Sequence, residues 1–513
     1  MSWEITSPNT GTSVGSQIDP HTMWKAGVDI FEQTRDFFQQ FEGNSPSSAI
    51  RTVTDTSKGR GHRITFTSMA GLYQEPKHAE QLYENSTDFE GLKFDEDDLV
   101  LDVMRHAVRY TERMEEHMGM RGEIVSGLPA EMGKWLGRLK SERMAMMYRE
   151  KGTSSNTVFA GDSSSVDDLT SSDTLSFDEV VKMGVRLERQ GGTSAETKTV
   201  NGNIVECNHV CSTTDGLYDL ELDDNYKQIL RDAGNRGDTN FLFKGGYTHA
   251  RGHTFHKWNP IDHDGDGAIA CPWNPKAYIK TDGSGAILDG SAWFGSADKD
   301  STVTLKGGGS RATDPSGAGY RDYFKYFPKF AFKFNELDQL NVSGADDFYI
   351  VVYNAPDATG VAADQKNKFG FAKVSTNNGH NIVLSEVLQT SVSGGNGSVF
   401  KDTVGSVTDA SGAFAGLIAD DWAEDALVML ANSKGQTYGW TLMMGAESAR
   451  RGYGKHRNKR GEQSHEDGYV KDVFVRSYFG QQPRANAAGE FPGFVMLAHA
   501  INYAGVPTPE ISS

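Results

Sequence analysis

Only three cysteines occur in the 513 residues, Cys207, Cys211 and Cys271. An odd, sparse set gives no disulfide framework and suits a reducing compartment. Long apolar runs are missing, and the opening MSWEITSPNTGTS has an acid where a signal peptide needs a basic start. The expectation is a protein with no membrane partner, made in the cytoplasm and not conventionally exported. Excess positive charge is missing too: 51 Lys and Arg face 69 Asp and Glu, for a net charge of -18. That excludes a dedicated nucleic-acid binder and leaves room only for weak, local DNA contacts. No HExxH helix, phosphate-cradling GxxxxGK[ST] or nucleophile elbow in a strand-turn-helix setting is present. Nothing therefore argues for an enzyme. Proline is scarce at 15, whereas glycine reaches 57, which fits tight turns better than proline-rich linkers.

What is present is enough to fold. Apolar residues make up 37% of the chain, with 27 Phe, 18 Tyr and 8 Trp, so burial can oppose chain entropy. The length exceeds one core and predicts two to four domains, or one fold with large insertions. After a polar opening, Trp24, Val28, Phe31 and Phe38 recur at helical spacing. Residues 49–69 read as two strands joined by a tight Lys-Gly-Arg-Gly connection, and 70–95 as a long exposed loop. Leu99, Val103, Ala107 and Tyr110 then suggest one helix; Leu128, Met132, Leu136, Leu139 and Met146 suggest a second, longer one. Residues 152–174 read as a polar surface loop. Ser176 and Glu179 form a capping-box pattern for a helix ending before Gly191. From about 258 to 420 the texture changes to glycine-rich segments with short β-like runs, FYIVVY and NIVLSEVL, and reads as an insertion. Beyond it MMGAESARRG has a helical look, while YVKDVFVRSYFG and FVMLAHAI look like strands.

Four groups of residues could carry chemistry. Asp262, Asp264 and Asp266 occupy alternate positions of a calcium-loop pattern, but Trp273 stands where the bidentate acid belongs. A structural calcium or an ordinary acidic turn both fit. Cys207, His209 and Cys211, with His249, His253 and His256, are zinc-ligand types, yet alternate strand positions more often form a buried stripe. Arg450, Arg451, Lys455, Arg457, Lys459 and Arg460 are the strongest basic cluster; Asp95, Glu96, Asp97 and Asp98 are a compact acidic one. These read as two solvated loops, or as surfaces that meet across subunits, the basic one alternatively facing DNA. Trp135 and Met132 form a stripe that is either core packing or an interface.

Three segments, in order, resemble the major capsid proteins of the N-four-like podoviruses: SKGRGHRITF with LYENSTDFEGLKFDEDDLVLDVMRHAVRY, then VECNHVCSTTDGLYDLELDDNYKQILRDAGNRGDTNFLFKGGYTHARGHTFHKW, then YGWTLMMGAESARRGYGKHRNKRGEQSHEDGYVKDVFVRSYFG. Together they cover a little over half the chain. The resemblance implies an α+β, Hong Kong 97-like fold. Residues 1–48 would be an N-terminal arm; 49–123 the extended loop (60–98) with flanking peripheral-domain elements; and 124–175 a spine helix (to 150) with its linker. An axial-domain part would occupy 176–259, an inserted β-rich domain 260–420, and a closing axial and peripheral segment 421–513. It also implies a virion protein that self-assembles into pentamers and hexamers of an icosahedral shell around double-stranded DNA. Scaffold, portal and decoration proteins would be its further partners. A cellular nanocompartment shell shares that fold, and a β-rich carbohydrate-binding protein or enzyme is the more distant alternative.

Overall fold

The computed structural model describes residues 20–54, 63–69, 94–111, 121–152, 155–200, 203–228, 249–250, 252–258, 273, 276–278, 303–306, 348–354, 368–377, 381–390, 427–432, 435–465, 470–486 and 489–502. The chain is α+β and divides into two compact units, one of residues 1–144 with 446–493, the other of 145–445 with 494–513.

In the first unit, helix α1 (Pro20–Arg35) leads through a 3-10 turn (Phe37–Phe41) to the short strand β1 (Glu42–Gly43) and to β2 (Ile50–Thr54). Asp36 caps the turn, its carboxylate accepting from Phe38 N at 3.2 Å. Strands β3 (Arg63–Met69) and β4 (Phe94–Val100) pair antiparallel as a two-stranded ribbon. Next come β5 (Asp102–Thr111) and helix α2 (Arg121–Lys151). The long strands β18 (Ala449–His465) and β19 (Val470–Pro483) complete a sheet of order β1-β2-β18-β19-β5.

One face of this sheet carries the helices. Val473 and Val475 are buried against Val28, Met132 and Leu136, with Val108, Tyr110 and Trp135 alongside. The Trp135 and Met132 stripe is thus core packing. The other face receives the root of the ribbon, where Ile64, Phe66, Leu99 and Leu101 cluster with Val53. A Cβ on Gly480 would lie 2.2 Å from the Val100 carbonyl, and one on Gly452 2.7 Å from Ile64 and from Leu99, so glycine permits this approach.

Two sequence expectations fail in this unit. Residues 94–111 are two strands, not a helix. Leu99, Val103, Ala107 and Tyr110 meet a helical period by coincidence, and ten residues of β5 pair instead with β19. Likewise β2 and β3 are strands but not a hairpin, because β2 pairs with β1 and β18 and β3 with β4.

In the second unit, a sheet of order β6-β20-β17-β8-β10-β9 is built from β6 (Thr157–Phe159), β8 (Asn203–Thr213), β9 (His249–Ala250), β10 (His253–Trp258), β17 (Tyr438–Met444) and β20 (Phe494–Ala500), with β7 (Glu196–Val200) paired to β8. Helix α3 (Phe177–Arg189) starts at Ser176, whose hydroxyl accepts from Glu179 N, and its Phe177, Val180, Met183 and Leu187 enter the core with Val210, Met443, Val495 and Leu497. The Glu179 carboxylate does not close the capping box; it takes Gly161 N and Lys182 instead. Helix α4 (Thr214–Leu222) lies beside it in sequence. Within 152–174, β6 and a 3-10 turn (Val166–Asp168) replace a featureless loop. The segment MMGAESARRG is no helix: β17 ends at Met444, a turn follows, and β18 begins at Ala449.

A separate six-stranded sheet has order β11-β16-β13-β14-β15-β12, from β11 (Lys276–Tyr278), β12 (Val303–Lys306), β13 (Phe348–Asn354), β14 (Lys368–Asn377), β15 (Asn381–Thr390) and β16 (Leu427–Ala431). Five of its strands come from the stretch of about 258–420 that the composition set apart, and β16 lies beyond it.

Candidate subunit-contact surfaces

The first surface element is the attachment of α1. Gly133 and Gly137, four apart on α2, sit directly against α1: added Cβ atoms would lie 2.6 Å from the Val28 carbonyl and 2.5 Å from that of Glu32. This spacing puts both glycines on one helix face and lets two backbones touch. Next to them a buried ionic cluster forms. Lys140 pairs with Glu32, both without solvent exposure, and its ammonium lies 5.0 Å from the Tyr453 ring centroid and 4.8 Å from that of Phe479. Ser141 donates to Asp36 at 2.9 Å and accepts from Phe37 N at 2.8 Å. Arg451 donates to Asp36 at 2.5 Å and also to Glu42, which accepts from the Tyr453 hydroxyl at 2.9 Å. Burial lowers the pKa of Arg451, but the charges of Asp36, Tyr453 and Glu42 outweigh it and hold the guanidinium well above its usual range.

This corrects the sequence reading of the basic segment. It lies on β18, not on a loop, and Arg450 and Arg451 are 1% and 0% exposed. Successive strand residues point to opposite faces, so Arg451 enters the helix-side cluster while Arg450 stacks over Phe66 of the ribbon, 4.7 Å from its centroid. Neither can face DNA or a neighbouring subunit. Lys455 and Arg457 fall where four β18 residues (454–457) stand opposite the single Tyr478 of β19; Lys459 and Arg460 resume regular pairing.

The acidic segment is also a strand. Asp95, Glu96, Asp97 and Asp98 of β4 stand opposite Ser68, Thr67, Phe66 and Thr65. Asp98 accepts from Arg63 at 2.8 Å and Thr65 at 2.6 Å, and Glu96 is exposed. The basic and acidic segments form no ion pair with each other among the described residues.

In the second unit, polar groups are sunk in the core. Ser212, Thr441 and His499 form a buried chain with contacts of 2.8 and 2.9 Å. Burial depresses His499 to a pKa of about 4, while its Nδ1 donates to the Ala500 carbonyl at 3.0 Å. The ring is neutral near pH 7, and Gly216 of α4 closes over it. This is packing with satisfied polar atoms, not a nucleophile with access to substrate. Cys207 and Cys211 are buried in β8, and burial raises the Cys211 thiol. His209 lies 3.0 Å from His256, but no group of three or more potential ligands is assembled among the described residues. Asp262, Asp264 and Asp266 lie outside the described residues. Among those described, no helix is long and apolar enough to cross a membrane.

The sequence reading missed Glu32, Asp36, Glu42 and Lys140 altogether. The GKWLG spacing of Gly133 and Gly137 was the available signal for a close helix contact; nothing local marks the acids that meet it.

A scan of the sequence against protein families finds no match, and comparison with curated proteins finds none. Among solved structures the chain is similar to the capsid of Ralstonia phage GP4, at 14% identity over 93% of each chain with a TM-score of 0.48. It is also similar to the capsid of cyanophage Pam1 (9% identity, 91% of this chain and 92% of that one, TM-score 0.48). The acid-stable capsid of Helicobacter pylori bacteriophage KHP30 is similar at 8% identity, with the same coverage and a TM-score of 0.47.

Proposed function

We propose that this chain is the major capsid protein of a tailed, double-stranded DNA phage, a Hong Kong 97-like shell subunit and not an enzyme. The observation that carries the reading is the β3–β4 ribbon, rooted on the first unit's sheet and bearing exposed Arg63, Thr65, Glu96, Asp98 and Val100. Two strands alone are marginal in water, so a projecting ribbon calls for a neighbour. Its place in the chain, after an α1 arm and before a 31-residue helix, is the order that the resemblance implies for arm, extended loop and spine. In this reading the first unit is peripheral, the seven-stranded sheet axial, and the six-stranded sheet an inserted domain that projects as built-in decoration or receives an accessory protein. Copies form pentamers and hexamers that close around DNA held by weak contacts, with scaffold and portal as further partners in the virion.

Negative-stain electron microscopy beside size-exclusion chromatography of the purified chain tests this. Closed shells, tubes or capsomer rings are expected; a strictly monomeric chain counts against it. Particles filled with protein cargo in place of DNA in the producing cell would favour the nanocompartment alternative.

A further inference from the structure

Two histidines from distant segments meet on the sheet of the second unit. Strand β10 runs parallel to β8, with Thr254 opposite His209 and His256 opposite Cys211. Residues that stand opposite one another point to the same face, which makes His209 and His256 diagonal neighbours on it. Their rings cross at 61° with centroids 5.1 Å apart, and His209 Nδ1 lies 3.0 Å from His256 Nε2. His256 is buried and His209 half-buried. The same face carries Trp258, edge-on to Trp273, and Met444, whose sulfur accepts from the Tyr148 hydroxyl. From Phe255 to Trp258 the only strand partner of β10 among the described residues is β8, because β9 pairs with His253 and Thr254 alone.

A contact between two imidazole nitrogens needs one of them to offer a lone pair. It forms when both rings are neutral, or when only one is charged. With both rings protonated each nitrogen carries a hydrogen, two like charges face each other, and attraction turns to repulsion. We propose that the contact of His209 with His256 is an acid-sensitive latch, which holds β10 to β8 at neutral pH and releases it when both rings are protonated. In an opened strand the rings take up protons independently, and free imidazole does so near about pH 6.5. The opened state therefore binds more protons below that range, so closure weakens as pH falls. Strand β10 is the last before the stretch that carries the six-stranded sheet, and its release loosens the root of that stretch. Other titratable groups share this face: Cys207 and the buried Cys211, whose thiol burial raises, on β8, and Tyr148 and Arg149 of α2, the latter over Trp440. Register sets Glu196 of β7 opposite Cys207 and His249 of β9 opposite Thr254. His253 is on the opposite face of β10, against Gly184 of α3.

Hydrogen exchange of the full-length chain, read by mass spectrometry as protection factors at pH 7 and pH 5, tests the latch. Protection of amides 254–258 should fall roughly 100-fold between the two. That of amides 494–500 in β20 should hold, because His499, depressed to about 4, stays neutral over this range. H209N/H256Q places amide groups at the two contact positions, which can still hydrogen-bond but cannot titrate, so its β10 protection should be equal at both pH values. His253→Gln should leave the acid response in place. If protection of β10 in the wild-type chain does not change, or falls together with that of β20, the latch does not exist, and this holds even where H209N/H256Q fails to fold. An acid response that survives in H209N/H256Q, or that His253→Gln abolishes, would equally overturn the inference by assigning the titration to another group, His249 or His253.

Discussion

Lys140→Met tests the attachment of α1 most directly. Lys140 and Glu32 are both fully buried, so removing the ammonium strands a carboxylate that water cannot reach. The carboxylate escapes by taking a proton. From an ordinary pKa near about 4.3, that protonation costs about 4 kcal/mol at pH 7 but only about 1 kcal/mol at pH 5. To this is added the loss of the cation over Tyr453 and Phe479, about 0.5–2 kcal/mol for each ring. The sum, about 5–8 kcal/mol at pH 7, is an upper bound, since the roughly 3–5 kcal/mol typical of a broken buried pair is lower. Glu32→Gln in the same chain removes the stranded charge, so E32Q/K140M should be less destabilised than the sum of the single variants by about 2 kcal/mol or more. Urea denaturation at pH 7 and pH 5 gives the energies, and hydrogen exchange of amides 28–35 reports whether α1 itself has loosened. A cost that does not shrink at pH 5, or single-variant costs that simply add, would refute the electrostatic account.

Two other substitutions probe packing and burial. Gly137→Leu should destabilise the first unit by about 3 kcal/mol, because a Cβ there already meets the Glu32 carbonyl at 2.5 Å and α1 must be displaced; protease sensitivity near Arg35 would rise with it. Asp219 of α4, which accepts from Asn502 N at 3.1 Å, is raised from 3.8 to about 7, first by burial and then by Asp215, against the Asn502 hydrogen bonds. The folded state therefore keeps a proton that the unfolded chain releases. Stability contributed by this group should fall as pH rises from about 4 to about 7, by at most about 4 kcal/mol, and level off above. Asp219→Asn should flatten that decline in urea midpoints measured across the range; an unchanged slope would place the titration elsewhere.

What the amino-acid order determined by itself was local. The apolar period of α2, with Met132, Leu136 and Met146 buried, the Ser176 cap of α3, and the β-like runs of β13, β15, β19 and β20 are all signals carried within a dozen residues. The runs FYIVVY and NIVLSEVL after Trp258 likewise lie in strands, β13 and β15. Tertiary structure decided everything that depends on a distant partner. Residues 102–111 could satisfy a helical period, and only pairing with β19, more than 350 positions away, makes them a strand. Arg450 and Arg451 look like the head of a solvated basic run until Phe66, Asp36 and Glu42 are brought to them from the other end of the chain. Lys459, Arg476 and Arg105 stand opposite one another only because three strands meet in one register, for charge is written residue by residue whereas its neighbours across a sheet are set by folding.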